Sequence, residues 1–120
     1  MRVVAIEEHH IIPEMRSPVD LSLLPPAFHD RLGATVGERL ADMDAAGIDV
    51  QVLSVVLPVP QMLPAETAVP LAARVNEELH GMVTAHPGRF AAFAPLPVTV
   101  PDAAASELER PSVNWASSAR

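Results

Sequence analysis

Val3-Val4-Ala5-Ile6-Glu7-Glu8-His9 is a short apolar run that closes on Glu-x-His. Apolar and β-branched residues over this length favour a buried strand. Successive strand side chains alternate faces, so regular pairing sends Glu7 and His9 to one side and Glu8 to the other. A carboxylate and an imidazole side by side at the C-terminal end of a strand make half of a divalent-metal site. The remaining ligands must come from later strands.

Working outward from this strand, the pattern alternates between strand and helix. Residues 11–36 carry Pro13, Pro18, Pro25 and Pro26, which break any long element, and read as irregular. A helix is expected at roughly 37–46. Leu40, Met43 and Ala46 form its apolar face, and Gly47 stands where a helix commonly ends. Residues 48–56 read as a second strand whose second half is almost wholly apolar, as expected of a strand covered on both faces. Pro58, Pro60 and Pro64 mark the next loop.

The strongest helical period runs from about Glu66 to Ala85, with Ala68, Leu71, Ala72, Val75, Leu79, Met82 and Val83 at helical spacing. Pro87-Gly88 stops it. Phe90–Ala94 reads as a third strand, closed by Pro95 and Pro97. Pro101 and Asp102 suit the first turn of a last helix reaching about Arg110. The order β-α-β-α-β-α is that of parallel strands joined by crossovers.

Composition bounds the function. The 120 residues are 49% hydrophobic, enough for a core, and one domain is the expectation at this length. The net charge of −7 gives no basic footprint for nucleic acid or an anionic membrane. There is no cysteine, which excludes disulfides and thiolate ligands. The longest apolar segment, Val52 to Pro60, is interrupted by Ser54 and Pro58 and is too short to span a bilayer. The N-terminus lacks the features of a secretory signal, and a cytoplasmic protein is the expectation.

Three motifs in order resemble a known family. They are "AIEEH" with Pro13-Glu14 after it, "ERLADMDAAGIDVQVLSV", and "AARVNEELHGMVTAHPGRFAAFAPLPVTVPDAAASELER". Together they resemble the amidohydrolase-related proteins that include aminocarboxymuconate-semialdehyde decarboxylase and the aromatic-acid decarboxylases. The resemblance covers about residues 3–110. It implies an α/β fold, the N-terminal β-α-β-α-β-α part of a metal-dependent (β/α)8 TIM barrel, incomplete, with the site at the C-terminal strand ends. Glu7 and His9 match the first-strand metal ligands, and zinc or manganese is the implied cofactor of the intact parent. Relatives often carry Phe after the Glu-Glu-His, where this chain has His10, a candidate substrate contact. No catalytic residue beyond the ligands is assigned. The implied partner is a small-molecule carboxylic acid, with a homo-oligomer possible.

Residues 111–120 depart from the family pattern, and Pro111 would stop the helix before them. Back-translated with GC-rich codons, Arg110 to Arg120 reads in a shifted frame as Ala-Val-Arg-Glu-Leu-Gly-Phe-Val-Gly-Ala, the helix-then-strand continuation expected of a family member. The expectation is a family portion over 1–110, a non-homologous tail over 111–120, and a frameshift near codon 110. The favoured parent activity is decarboxylation of an aromatic or unsaturated acid. A metal-dependent hydrolase of a lactone, ester or amide, and a non-catalytic remnant, are the alternatives.

Other polar residues have plainer readings. His29 lies in the proline-rich segment, where a loop over the site is one option. His80 and His86 read as surface residues of a helix and its end. Asp49 and Gln51, at the start of the second strand, read as structural. Ser54, further along that strand, could approach the site. Asn76 and Arg89 read either as family positions or as a helix-surface hydrogen bond and a turn contact.

Overall fold

The computed structural model describes all residues except Val19, Leu23, 56–61, Ser112 and 114–120. The expected loop at Pro58 and Pro60, and nearly all of the expected tail, lie outside the described residues.

Three parallel strands form one sheet in the order β1-β2-β3, with β1 at Val4–His10, β2 at Val50–Val55 and β3 at Phe90–Ala92. The parallel α/β reading therefore holds, with shorter second and third strands than the sequence pattern suggests. Residues 11–36 are less irregular than expected. They contain a 3-10 turn at Pro13–Met15 and a helix, α1, at Pro26–Leu32. Two of the prolines that read as breakers, Pro13 and Pro26, stand at the first positions of these elements, where a missing N–H costs nothing.

Helix α2 spans Val36–Ala46. Its start is a reciprocal cap: the Thr35 hydroxyl accepts the Glu38 backbone N–H, and the Glu38 carboxylate accepts the Thr35 backbone N–H. It ends at Gly47, whose φ of 70° is the left-handed conformation glycine adopts cheaply. Met43 is fully buried and Leu40 packs at the core edge, whereas Ala46 is exposed. Helix α3 spans Ala65–Ala85 and buries Ala68, Leu71, Ala72, Val75, Leu79 and Met82, as its period predicts. Helix α4 spans Pro101–Glu109.

The core gathers Ile11, Ile12 and Met15 after β1, Leu32, Met43, Leu53 of β2, Leu71, Val75, Leu79 and Met82 of α3, and Phe90 of β3. A polar cluster ties α3 to α4. Asn76 is fully buried, not at the helix surface, and donates to the Pro95 carbonyl and to the Glu107 carboxylate, each at 2.9 Å. Arg110 clamps the same Glu107 with two nitrogens at 2.8 Å. The amide nitrogen is so engaged, as interior donors usually are, whereas Asn76 Oδ1 is buried without a partner among the described residues.

Candidate metal site at the strand ends

The pairing of β1 with β2 fixes where the first-strand residues stand. Val4 and Ala5 pair with Val50 and Gln51, and Glu8, His9 and His10 pair with Leu53, Ser54 and Val55. Between them Ile6 and Glu7 share the single residue Val52, so β1 carries one extra residue, a bulge. Glu7 holds this bulge with φ of 59°, the one positive φ outside glycine among the described residues. For a non-glycine residue that conformation costs roughly 1–2 kcal/mol. Simple alternation is therefore interrupted between Glu7 and His9.

Beyond the bulge the faces are clear. Glu8 and His10 share the face of Leu53 and Val55, which packs on the helices, and His9 shares the face of Ser54. The His9 ring is exposed, and its Nδ1 lies 3.0 Å from Ser54 Oγ. Ser54 thus does approach the strand end, as one reading of the sequence allowed. Glu7 is exposed as well. Glu7, Glu8 and His9 border a cleft of about 340 Å³ between β1 and the two following helices, whose far wall carries Phe28, Arg31, Arg39 and Asp42.

His10 is placed differently from the expectation of a substrate contact. It is only 6% exposed and faces Arg39, with Nδ1 3.5 Å from Nη2 and Nε2 buried without a partner. Burial, and after it the Arg39 charge, lowers its pKa to about 4, so the ring is neutral near pH 7. The reason is register: after the bulge, position 10 falls on the helix side.

Arg39 is the residue that sequence reasoning missed. It is 5% exposed and donates from Nη2 to the His9 carbonyl at 2.7 Å, with longer contacts to the Leu32 carbonyl at 3.5 Å and to Gln51 Oε1 at 3.4 Å. Burial lowers its pKa while the Glu8 carboxylate opposes the shift. A signal was present: Arg39 stands three residues after Val36 and four before Met43, inside the apolar stripe of α2.

The other polar candidates have structural partners. His29 sits in α1, not in a loop, and its Nε2 donates to the carbonyls of Leu21 and Leu24 at 2.9 and 3.1 Å. The Asp49 carboxylate accepts the Val3 backbone N–H at 2.6 Å. Arg89 bonds the Asp49 and Ile48 carbonyls and the Asp44 carboxylate, the turn contact expected. Asp44, Ile48, Asp49 and Arg89 line a cavity of about 740 Å³ at the N-terminal ends of the strands. In a barrel that end serves stability, not chemistry. His86 meets Phe90 edge-on at 6.0 Å.

A carboxylate and a neutral imidazole are suitable donors for a hard or borderline divalent cation. Among the described residues no group of three or more His, Cys, Asp or Glu could hold a metal ion. Glu7 and His9 thus offer at most part of a coordination sphere. Among the described residues, no helix is long and apolar enough to cross a membrane.

Comparison with known proteins places this strand end in context. No protein-family model matches the chain. A curated gamma-resorcylate decarboxylase of Rhodococcus jostii (strain RHA1) is 38% identical over 112 residues, 89% of this chain and 34% of the relative. The crystal structure of 2,6-dihydroxybenzoate decarboxylase from Rhizobium superposes with a TM-score of 0.76 at 37% identity, over 92% of this chain and 35% of that one. A dihydroxybenzoic acid decarboxylase from Polaromonas sp. JS666, solved with bound manganese and the inhibitor 2-nitroresorcinol, superposes with a TM-score of 0.77 at 35% identity, over 92% and 35%. The chain is homologous to these amidohydrolase-like decarboxylases and spans about a third of their length. Its three-strand sheet corresponds to part of their TIM barrel.

Proposed function

We propose that this chain, homologous over about a third of their length to amidohydrolase-like decarboxylases, supplies the first metal ligands of an enzyme that decarboxylates an aromatic carboxylic acid. One observation carries the reading. His9 stands exposed at the C-terminal end of β1, one ring nitrogen engaged by Ser54, two residues after a carboxylate held in strained backbone. Strain of this kind concentrates at functional sites.

Glu7 and His9 are the residues that would hold the cation. Manganese is the first ion to test, because a relative binds it, and zinc the second. When bound, such an ion supplies Lewis-acid stabilisation of the negative charge that develops as carbon dioxide leaves. Glu7 would offer its carboxylate oxygens and His9 a ring nitrogen, while Arg39 holds the His9 backbone carbonyl. A catalytic site of this type uses about three protein ligands. The remaining ligands belong, in this reading, to the two thirds of the relatives' length that the chain does not span.

The test is a titration of Mn²⁺ into the chain by electron paramagnetic resonance, with Glu7→Gln and His9→Ala alongside. Weak binding that both substitutions abolish is expected, because most of the coordination sphere is water. In a protein extended to the relatives' length, decarboxylation of dihydroxybenzoates should require both residues. Undiminished decarboxylation by His9→Ala in that protein would sink the reading.

A further inference from the structure

We propose that Ser54 is a positioning residue for His9: its hydroxyl accepts the Nδ1–H of the ring and so leaves Nε2 as the free lone pair. The inference deepens the metal-site reading above and rests on it for its purpose, though not for its geometry. The geometry is direct. His9 and Ser54 are register partners on adjacent parallel strands, and Nδ1 and Oγ are 3.0 Å apart. The backbone on the other side is held too, since the His9 carbonyl accepts from the buried Arg39 at 2.7 Å. The His9 backbone carbonyl and ring Nδ1 are therefore both engaged, while the residue stays exposed.

The chemistry follows from the imidazole itself. A neutral ring has one N–H and one lone pair, and the hydrogen bond made by one nitrogen decides which tautomer is present. A hydroxyl can also donate, so the two arrangements make opposite predictions. If Nδ1–H donates to Ser54, Nε2 is a ready metal ligand. If Ser54 donates to Nδ1, Nε2 carries the proton and no nitrogen is free. Ligating histidines commonly hold their second nitrogen in the first of these ways.

The experiment is ¹⁵N nuclear magnetic resonance of the histidine rings in the metal-free full chain, about two pH units above the ordinary histidine value of about 6.5. His9 is assigned by its disappearance in His9→Ala. The expected result is an Nδ1-protonated His9 in the native chain and in Ser54→Thr, which keeps the hydroxyl, and loss of that preference in Ser54→Ala. An Nε2-protonated His9 in the native chain overturns the proposal, and so does an unchanged tautomer in Ser54→Ala. If Ser54→Ala folds poorly, the native chain and Ser54→Thr still decide between the two tautomers. Mn²⁺ titration then separates this idea from the site reading. Ser54→Ala should weaken binding roughly 10- to 100-fold, with rescue by Ser54→Thr. Binding that is indifferent to His9→Ala defeats the metal site, whereas the tautomer result stands or falls by itself.

Discussion

Arg39 on α2 reaches the backbone carbonyl of His9 on β1, Nη2 to oxygen at 2.7 Å, across 30 positions of sequence. One buried guanidinium thereby joins the helix layer to the strand end that carries the candidate site. It also touches Gln51 of β2 and the end of α1 at Leu32. Replacing Arg39 by Met should destabilise the chain by about 2–4 kcal/mol, since several buried acceptors lose their donor. Lys should not rescue it, because a point ammonium cannot reproduce the planar fork. Urea denaturation checks this, and a loss under about 0.5 kcal/mol, the range of surface substitutions, would contradict it.

At the start of α2, Thr35→Ala should cost about 1 kcal/mol, the usual worth of an N-cap side chain. The pH dependence has a definite sign. The Thr35 backbone N–H, then its hydroxyl, hold the Glu38 carboxyl below the ordinary carboxylate range. A carboxyl whose folded pKa is depressed stabilises the fold above its unfolded value, and that stability is lost as pH falls through the lowered folded value. Thermal melts from neutral pH into the acid should show a drop that Glu38→Gln flattens. Identical pH profiles for the two chains would refute the assignment.

Gly47 ends α2 at φ of 70°, and a Cβ built there meets nothing within 4 Å. The penalty for Gly47→Ala is therefore conformational alone, about 1–2 kcal/mol. Asn, which tolerates this region, should cost less. Equal stability of the Ala and Asn variants would argue against a left-handed cap.

Association is expected of the 120-residue chain by itself. Ile6 is 68% and Phe93 67% exposed, and β1 and β3 each have one unpaired edge among the described residues. Apolar patches and free strand edges both favour contact between copies. Analytical ultracentrifugation should find mass rising with concentration. A strict monomer with a sharp reversible melt would count against this.

Turnover by the 120-residue chain alone should be absent. In the proposed site Glu7 and His9 would supply two ligands where a catalytic metal uses about three, and among the described residues no group of three or more His, Cys, Asp or Glu could hold a metal ion. Metal-dependent release of carbon dioxide from dihydroxybenzoates, above a Glu7→Ala control, would show that the chain completes a site unaided.

The sequence alone determined the features that local chemistry controls. The long helix was legible from Ala68 to Met82 because burial of one helical face imposes its own period. The end of α2 was legible because glycine is the residue that tolerates a left-handed turn. The Glu-x-His strand end and its kinship were legible from three ordered motifs. Tertiary structure decided what depends on pairing between distant strands. The bulge at Glu7 exists because seven residues of β1 must match six of β2, and neither strand records the other's length. That extra residue sends His10 under the helices and brings His9 beside Ser54. Arg39 and Asn76 are polar residues in apolar stripes, and their burial is stable only because His9, Gln51, Pro95 and Glu107 arrive from elsewhere to meet them. Hydrogen-bond partners 12 to 31 positions away are set by the packed fold, so no local pattern could announce them.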